Sequence, residues 1–174
     1  MLIFLVGFMG SGKSTLGKEL AKQLKFKFAD TDASVELLTG KSINDLFDEG
    51  GEIYFRMKEQ EVLHSFAGKK NCVIATGGGL PIFKDNMDWM NENGITVYLK
   101  VHRGVLFHRL LPEKNTRPLI SKLDDIGLME FFMEKLPERA VYYRQSKIIV
   151  AAEEESISQL IKTILEQFTL AGFE

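Results

Sequence analysis

Nine consecutive residues near the start of the chain, Gly7-Phe8-Met9-Gly10-Ser11-Gly12-Lys13-Ser14-Thr15, have the types and spacing to hold a polyphosphate. They satisfy G-x-x-x-x-G-K-[ST] directly after the apolar run Leu2 to Val6, which is the setting of a phosphate-binding loop between a strand and a helix. Glycines let successive backbone N–H groups turn inward around an anion, and the helix that follows adds the positive end of its dipole. Lys13 then supplies a cation for the β- and γ-phosphates, and the Ser14 hydroxyl is placed to ligate Mg²⁺. The nucleotide contacts expected on this basis are Gly10, Ser11, Gly12, Lys13, Ser14 and Thr15.

In motor ATPases and GTPases an acidic residue at the end of a core strand completes the magnesium site. Here the apolar run Cys72 to Ala75 leads instead into Thr76-Gly77-Gly78-Gly79. The nearest substitutes are in Asp30-Thr31-Asp32, where one carboxylate can reach Mg²⁺ through water while the other faces an acceptor. Equally, Asp32 can simply cap a helix beginning at about Ala33. Asp48-Glu49-Gly50-Gly51 matches the D-x-x-G of GTPases, but it follows an amphipathic segment and no N-K-x-D occurs, which excludes that class.

Gly77, Gly78 and Gly79 fall at the carboxyl edge of a strand, either as a tight turn or as backbone on which a substrate lies directly. Arg56, with Glu52 before it and Glu59 after it, reads as a solvated ion-pair residue or as an anion ligand. Arg139, among Glu134, Lys135, Glu138 and Arg144, has the same two readings, with a surface charge as the default. Arg117, in Asn115-Thr116-Arg117-Pro118-Leu119, has the form of an arginine finger on a loop that closes over phosphates. His64, His102 and His108 lack metal-ligand spacing and read as ordinary polar or interface residues.

The elements that must carry these residues alternate short apolar runs with helical patterns, which argues for a parallel sheet covered by helices on both faces. Strands are expected at about 2–6, 26–29, 72–75, 95–99 and 147–150, and helices at roughly 14–24, 52–66, 103–111, 127–144 and 156–169. Ser42 and Asp45 form a capping-box variant opening a further short helix. Pro112 to Gly127 has weak periodicity and reads as a long mobile loop.

Composition limits the alternatives. A chain of 174 residues with 45% hydrophobic content is enough for one domain with a sizeable core. A net charge of −2 with intermixed signs gives no basic face for nucleic acid. Cys72 is the one cysteine, which excludes an internal disulfide and fits a reducing cytoplasm. The apolar start is too short to cross a bilayer and lacks the flanks of a signal peptide.

Taken in order, the motifs resemble the shikimate kinase family of nucleoside-monophosphate-kinase-like P-loop kinases. The phosphate loop with Gly17 is followed by Phe28-x-Asp30-x-Asp32, Gly40-x-Ser42-Ile43-x-x-x-Phe47 and Gly51-Glu52-x-x-Phe55-Arg56-x-x-Glu59. Gly77-Gly78-Gly79, Arg117-Pro118-Leu119 and Arg139-x-x-x-Tyr143 complete the set, spanning residues 2 to 143.

The resemblance implies a three-layer α/β/α fold with a five-stranded parallel sheet in order 2-3-1-4-5, in one domain over 1–174. It implies a substrate-binding region at about 32–60 and a lid at about 111–125. The implied reaction is transfer of the ATP γ-phosphoryl group to the 3-hydroxyl of shikimate, a step toward chorismate and aromatic amino acids. Lys13, Asp32 and Arg117 are the implied catalytic residues, Arg117 also contacting ATP. Asp32, Arg56, Gly77, Gly78, Gly79 and Arg139 are the implied shikimate contacts, with Arg56 and Arg139 on its carboxylate. Mg²⁺ is implied on Ser14 and, through water, on Asp30. A cytoplasmic monomer with neither nucleic-acid nor membrane partner completes the expectation.

Val141 stands where the family usually has proline, and the resemblance offers Arg109 for stacking on adenine. Two alternatives stay open: a related small-molecule kinase such as a gluconate kinase, and a silent nucleotide-binding module.

Overall fold

A computed structural model describes residues 1–153 and 155–173, with Asn115 and Thr116 described by their backbone alone. The expected domain 1–174 is therefore followed as far as Phe173, with Glu154 and Glu174 outside the described residues.

Five strands, β1 (Leu2–Val6), β2 (Lys27–Asp30), β3 (Cys72–Ala75), β4 (Ile95–Lys100) and β5 (Ile148–Ala151), form one sheet in the order β2-β3-β1-β4-β5. All four pairings are parallel, with Leu2 beside Cys72 and Ile3 beside Ile95 in register. All residues of β1 and β3 are buried, as central strands covered on both faces must be. This central position brings the C-terminal ends of β1 and β3 side by side, and the loops that leave those two ends build the site.

Among the described residues seven α-helices cover the sheet: α1 (Lys13–Leu24), α2 (Thr31–Thr39), α3 (Ile43–His64), α4 (Asn86–Asn93), α5 (Arg103–Leu110), α6 (Asp125–Tyr143) and α7 (Ile157–Leu170). In α1 the apolar spacing buries Leu16, Leu20 and Ala21. The Ser42–Asp45 capping box opens α3 as expected, and Gly51 interrupts the helix at φ 71°, so a short first half meets the longer half that carries Arg56 and Glu59.

The structure alters three expectations. Asp32 is not the cap of α2: Asp30 holds that position, its Oδ1 accepting from the Asp32 N–H at 3.0 Å, and Asp32 lies in the first turn. Residues 112–127 are not one long loop, because a 3₁₀ helix covers Leu111–Thr116 and α6 begins at Asp125. Between them Ile120 is fully buried and anchors the segment to the core. Helix α4 went unforeseen; with two turns, and Met87, Trp89 and Met90 as the apolar residues it packs on the core, it is too short to show a helical period. Of the histidines, His64 stacks on Trp89, His102 caps α5 and His108 lies edge-on to the ring of Phe107. No helix among the described residues is long and apolar enough to cross a membrane.

Candidate active site

The phosphate loop connects β1 to α1. Gly12 sits at the N-cap of α1 with φ 90°, a conformation open to glycine without strain. The Lys13 ammonium folds back over the loop and donates to the carbonyl oxygens of Gly7 and Phe8, both at 2.9 Å. Burial lowers its pKa to about 8, with Arg117 and Arg139 adding to the fall and Asp32 and Asp30 opposing it. The Ser14 hydroxyl donates to Asp30 Oδ2 at 2.6 Å, so the cap of α2 and the first turn of α1 present a hydroxyl and a carboxylate side by side. These are hard oxygen ligands, and with phosphate oxygens and water they make up the set Mg²⁺ prefers. Among the described residues no group of three or more Asp, Glu, His or Cys side chains could hold a metal alone. The residues present thus fit an ion shared with a nucleotide.

Two clefts meet over the sheet. The larger, about 610 Å³, runs along Gly10 to Leu16 and on to Arg109, Ala152 and Leu160. Arg109 donates to the carbonyl oxygens of Gly10 and Glu153 at its rim. The smaller, about 200 Å³, is lined by polar Asp32, Arg56 and Arg139 together with apolar Phe47, Pro118 and Leu119. Met9, Asp32, Gly77, Gly78 and Arg117 line both, which marks the place where a group could pass from one to the other.

The structure brings together the acceptor residues named from sequence. Arg56 and Arg139 are 7% and 5% exposed, so neither is the surface charge that its helix neighbours allow. Arg56 pairs with Glu52 at 3.0 Å and with the fully buried Glu59. Arg139 lies over the ring of Phe8, 5.2 Å from its centroid, with its Nη1 buried and unpartnered. Arg117 donates to Glu113 at 2.9 Å while its Nε has no partner.

From sequence Glu59 enters as a neighbour of Arg56 and as the end of the Gly51-to-Glu59 motif, with no role of its own. Its Oε1 and Asp32 Oδ1 both crowd the point where a Cβ on Gly77 would stand, so a larger residue there would push the two carboxyl groups aside. Burial pushes Glu59 up to about 7, the charge of Asp32 adding to the rise and that of Arg56 opposing it. Asp32 is raised as well, by burial first and by Asp30 second. A single proton shared between the two carboxyl groups would satisfy both orphaned oxygens.

Among the described residues the buried side-chain atoms lacking a partner are Asp32 Oδ1, Glu59 Oε1, Arg117 Nε, Arg139 Nη1 and Ser146 Oγ. All but the last belong to this one locality, where unmet polar groups mark a binding site.

The family profile described as Shikimate kinase matches residues 9–169. The chain belongs to the shikimate kinase family. It is 44% identical to the shikimate kinase of Bacteroides thetaiotaomicron over 171 residues, covering 94% of this chain and 98% of that one. It is 42% identical to that of Persephonella marina, covering 94% and 96%. A solved Bacteroides thetaiotaomicron shikimate kinase superposes with a TM-score of 0.90 at 42% identity, over 97% of this chain and 98% of that chain. A shikimate kinase from Acinetobacter baumannii in complex with shikimate superposes with a TM-score of 0.87 at 31% identity, over 99% and 95%. The five-stranded order is thus the order expected of the family.

Proposed function

We propose that the protein transfers the γ-phosphoryl group of ATP to the 3-hydroxyl of shikimate, giving shikimate 3-phosphate and ADP on the route to aromatic amino acids. The observation that carries this reading is the ring of unpartnered buried atoms on Asp32, Arg117 and Arg139 around a cleft that opens onto the phosphate loop. A small acid with several hydroxyls answers those groups at once.

The nucleotide phosphates lie along the N–H groups of Gly10 to Thr15, and Lys13 turns from the loop carbonyls to the β- and γ-oxygens. When bound, Mg²⁺ neutralises charge on those oxygens; the Ser14 hydroxyl would hold it directly and Asp30 through water. Arg56 and Arg139 grip the acceptor carboxylate, a task for planar guanidiniums whose paired N–H groups match its two oxygens. Gly78 and Gly79 receive the ring hydroxyls on their backbone, whereas Gly77, expected from sequence as a third contact, lines the cleft with its N–H already donated to Thr31 Oγ1 at 2.8 Å and its carbonyl oxygen accepting from the Leu80 N–H at 3.1 Å. Asp32 stands where the clefts join and takes a hydrogen bond, then a proton, from the attacking hydroxyl. Arg117 sits on a lid of about 111–125 and stabilises charge on the transferring group as the lid excludes water. Arg109 faces the adenine. All of these groups come from one chain, so a single copy can hold a complete site.

An ADP-release assay over a panel of hydroxy acids tests the reading. Turnover should be confined to shikimate; turnover on gluconate with none on shikimate would overturn it in favour of a gluconate kinase, and none on any acid would favour a silent module.

A further inference from the structure

Gly78 lies where the phosphate loop, the acceptor cleft and helix α6 meet. A Cβ at this position would come within 3.3 Å of the Met9 nitrogen, 3.5 Å of the Gly7 oxygen and 3.6 Å of Arg139 Nη1. Its carbonyl oxygen accepts a hydrogen bond from the Tyr143 hydroxyl at 2.5 Å. Tyr143 is the last residue of α6 and is fully buried. Its ring tilts against Tyr98 of β4 with centroids 5.2 Å apart. A phenol so enclosed needs an acceptor for its proton, and the glycine loop provides it.

The consequence follows from peptide planarity. In a trans peptide the carbonyl of one residue and the N–H of the next point to opposite sides, and no cis bond occurs among the described residues. Holding the Gly78 carbonyl toward α6 therefore turns the Gly79 N–H away from it. Gly78 and Gly79 both line the acceptor cleft. Among the described residues, neither of their N–H groups has a protein acceptor, whereas the Gly77 N–H is taken by Thr31 Oγ1 at 2.8 Å.

We propose that Tyr143 is a positioning residue for the acceptor: its hydroxyl fixes the Gly78–Gly79 peptide so that the Gly79 N–H is preset for a substrate oxygen. Arg139 is one turn earlier on the same helix face, so the same bond sets the distance between the guanidinium that grips the carboxylate and the backbone that receives the hydroxyls. The Tyr143 of the Arg139-x-x-x-Tyr143 pattern thus acts on substrate through the backbone without touching it. The inference rests on the reading of shikimate as acceptor.

Shikimate and ADP are titrated separately into the wild type, Tyr143→Phe and Tyr98→Phe, with the Gly79 amide resonance followed by NMR. Tyr143→Phe removes one oxygen and keeps the ring. It should weaken shikimate about 10-fold through the mobile, unsatisfied carbonyl it leaves, shift the Gly79 resonance, and leave ADP binding and kcat at saturating shikimate nearly unchanged. Tyr98→Phe, which alters the packing partner alone, should leave both shikimate and the Gly79 resonance as in the wild type. Unchanged shikimate affinity with an unchanged Gly79 resonance would overturn the proposal. So would a parallel loss of shikimate and ADP affinity, which would mean general loosening of α6. A wild type that does not bind shikimate would overturn the acceptor reading instead, and the Gly79 resonance would still decide whether Tyr143 holds the peptide.

Discussion

The nucleotide side of the site is one unbroken run from Gly7 to Thr15, while the acceptor side draws Asp32, Arg56, Gly78 and Arg139 from four separate stretches of chain. The two sides use different physics. The loop works through its own backbone, which needs only glycines and a helix start to point its donors inward. The acceptor side works through side-chain charge held out of water, and charges become strongly directional only where burial has removed the solvent. A local device therefore tolerates change around it, whereas an assembled one depends on the packing of every helix that contributes.

Lys13→Ala is the harshest test of the local device. The loop backbone should still fold and accept phosphate, yet the reacting group loses its cation, so turnover should fall by roughly 10³-fold or more. Circular dichroism should be unchanged. Near-native turnover would remove the phosphate loop from the mechanism.

The contrast also accounts for what could be read in advance. The phosphate loop, the strands and the capping box at Ser42 were legible because each depends on neighbours a few residues away. The burial of Arg56 and Arg139 was not, because i,i+3 and i,i+4 carboxylates beside an arginine look the same on a wet helix face and under a glycine loop. Glu59 shows the difficulty: its spacing from Arg56 is plain in the sequence, but its contact with Asp32 exists only because α3 passes beneath Gly77. Only the order of the motifs, as a family resemblance, assigned these residues to one pocket. For Asp32 the sequence left a cap and a catalytic carboxylate equally open, and the structure gives the cap to Asp30.

That assignment sharpens the next test. With the capping role removed, Asp32→Asn should leave thermal stability nearly intact and lower kcat by roughly 10²–10⁴, the range for loss of a general base. Measuring kcat and the melting temperature on the same preparation separates the outcomes. A variant that melts early but turns over normally would make Asp32 part of the scaffold.

Arg56→Lys and Arg139→Lys probe the assembled side more gently. Each keeps the positive charge and loses the fork, so the KM for shikimate should rise about 10-fold while that for ATP stays put. Arg139→Lys should also weaken the contact with Phe8, whose ring centroid lies 5.2 Å from the guanidinium carbon. The exposed Val141 at the family's usual proline position lies away from this contact and should tolerate proline at little cost to shikimate binding. Equal loss for both substrates would show that the two sides of the site are not separable.

The smallest effect expected is on stability, and it comes from Glu59. Its pKa is about 7 in the folded chain against an ordinary 4.5, with burial as the main cause. A folded state that holds a proton more tightly than the unfolded state is favoured at low pH. The contribution is fully present below about 4.5 and is lost as pH rises through about 7, where the buried carboxyl must ionise or the chain open. Glu59→Gln has nothing to ionise. The wild type should therefore lose stability relative to this variant between pH 5 and pH 8, by on the order of 1–3 kcal/mol, read from urea unfolding at each pH. Arg56 opposes the trend, since its charge favours the ionised form. A difference that stays flat or grows with pH would mean that the ion pair outweighs burial and that Glu59 is charged throughout. The acceptor side would then rest on a closed Arg56–Glu59 pair, and the orphaned oxygen of Asp32 would face the substrate alone.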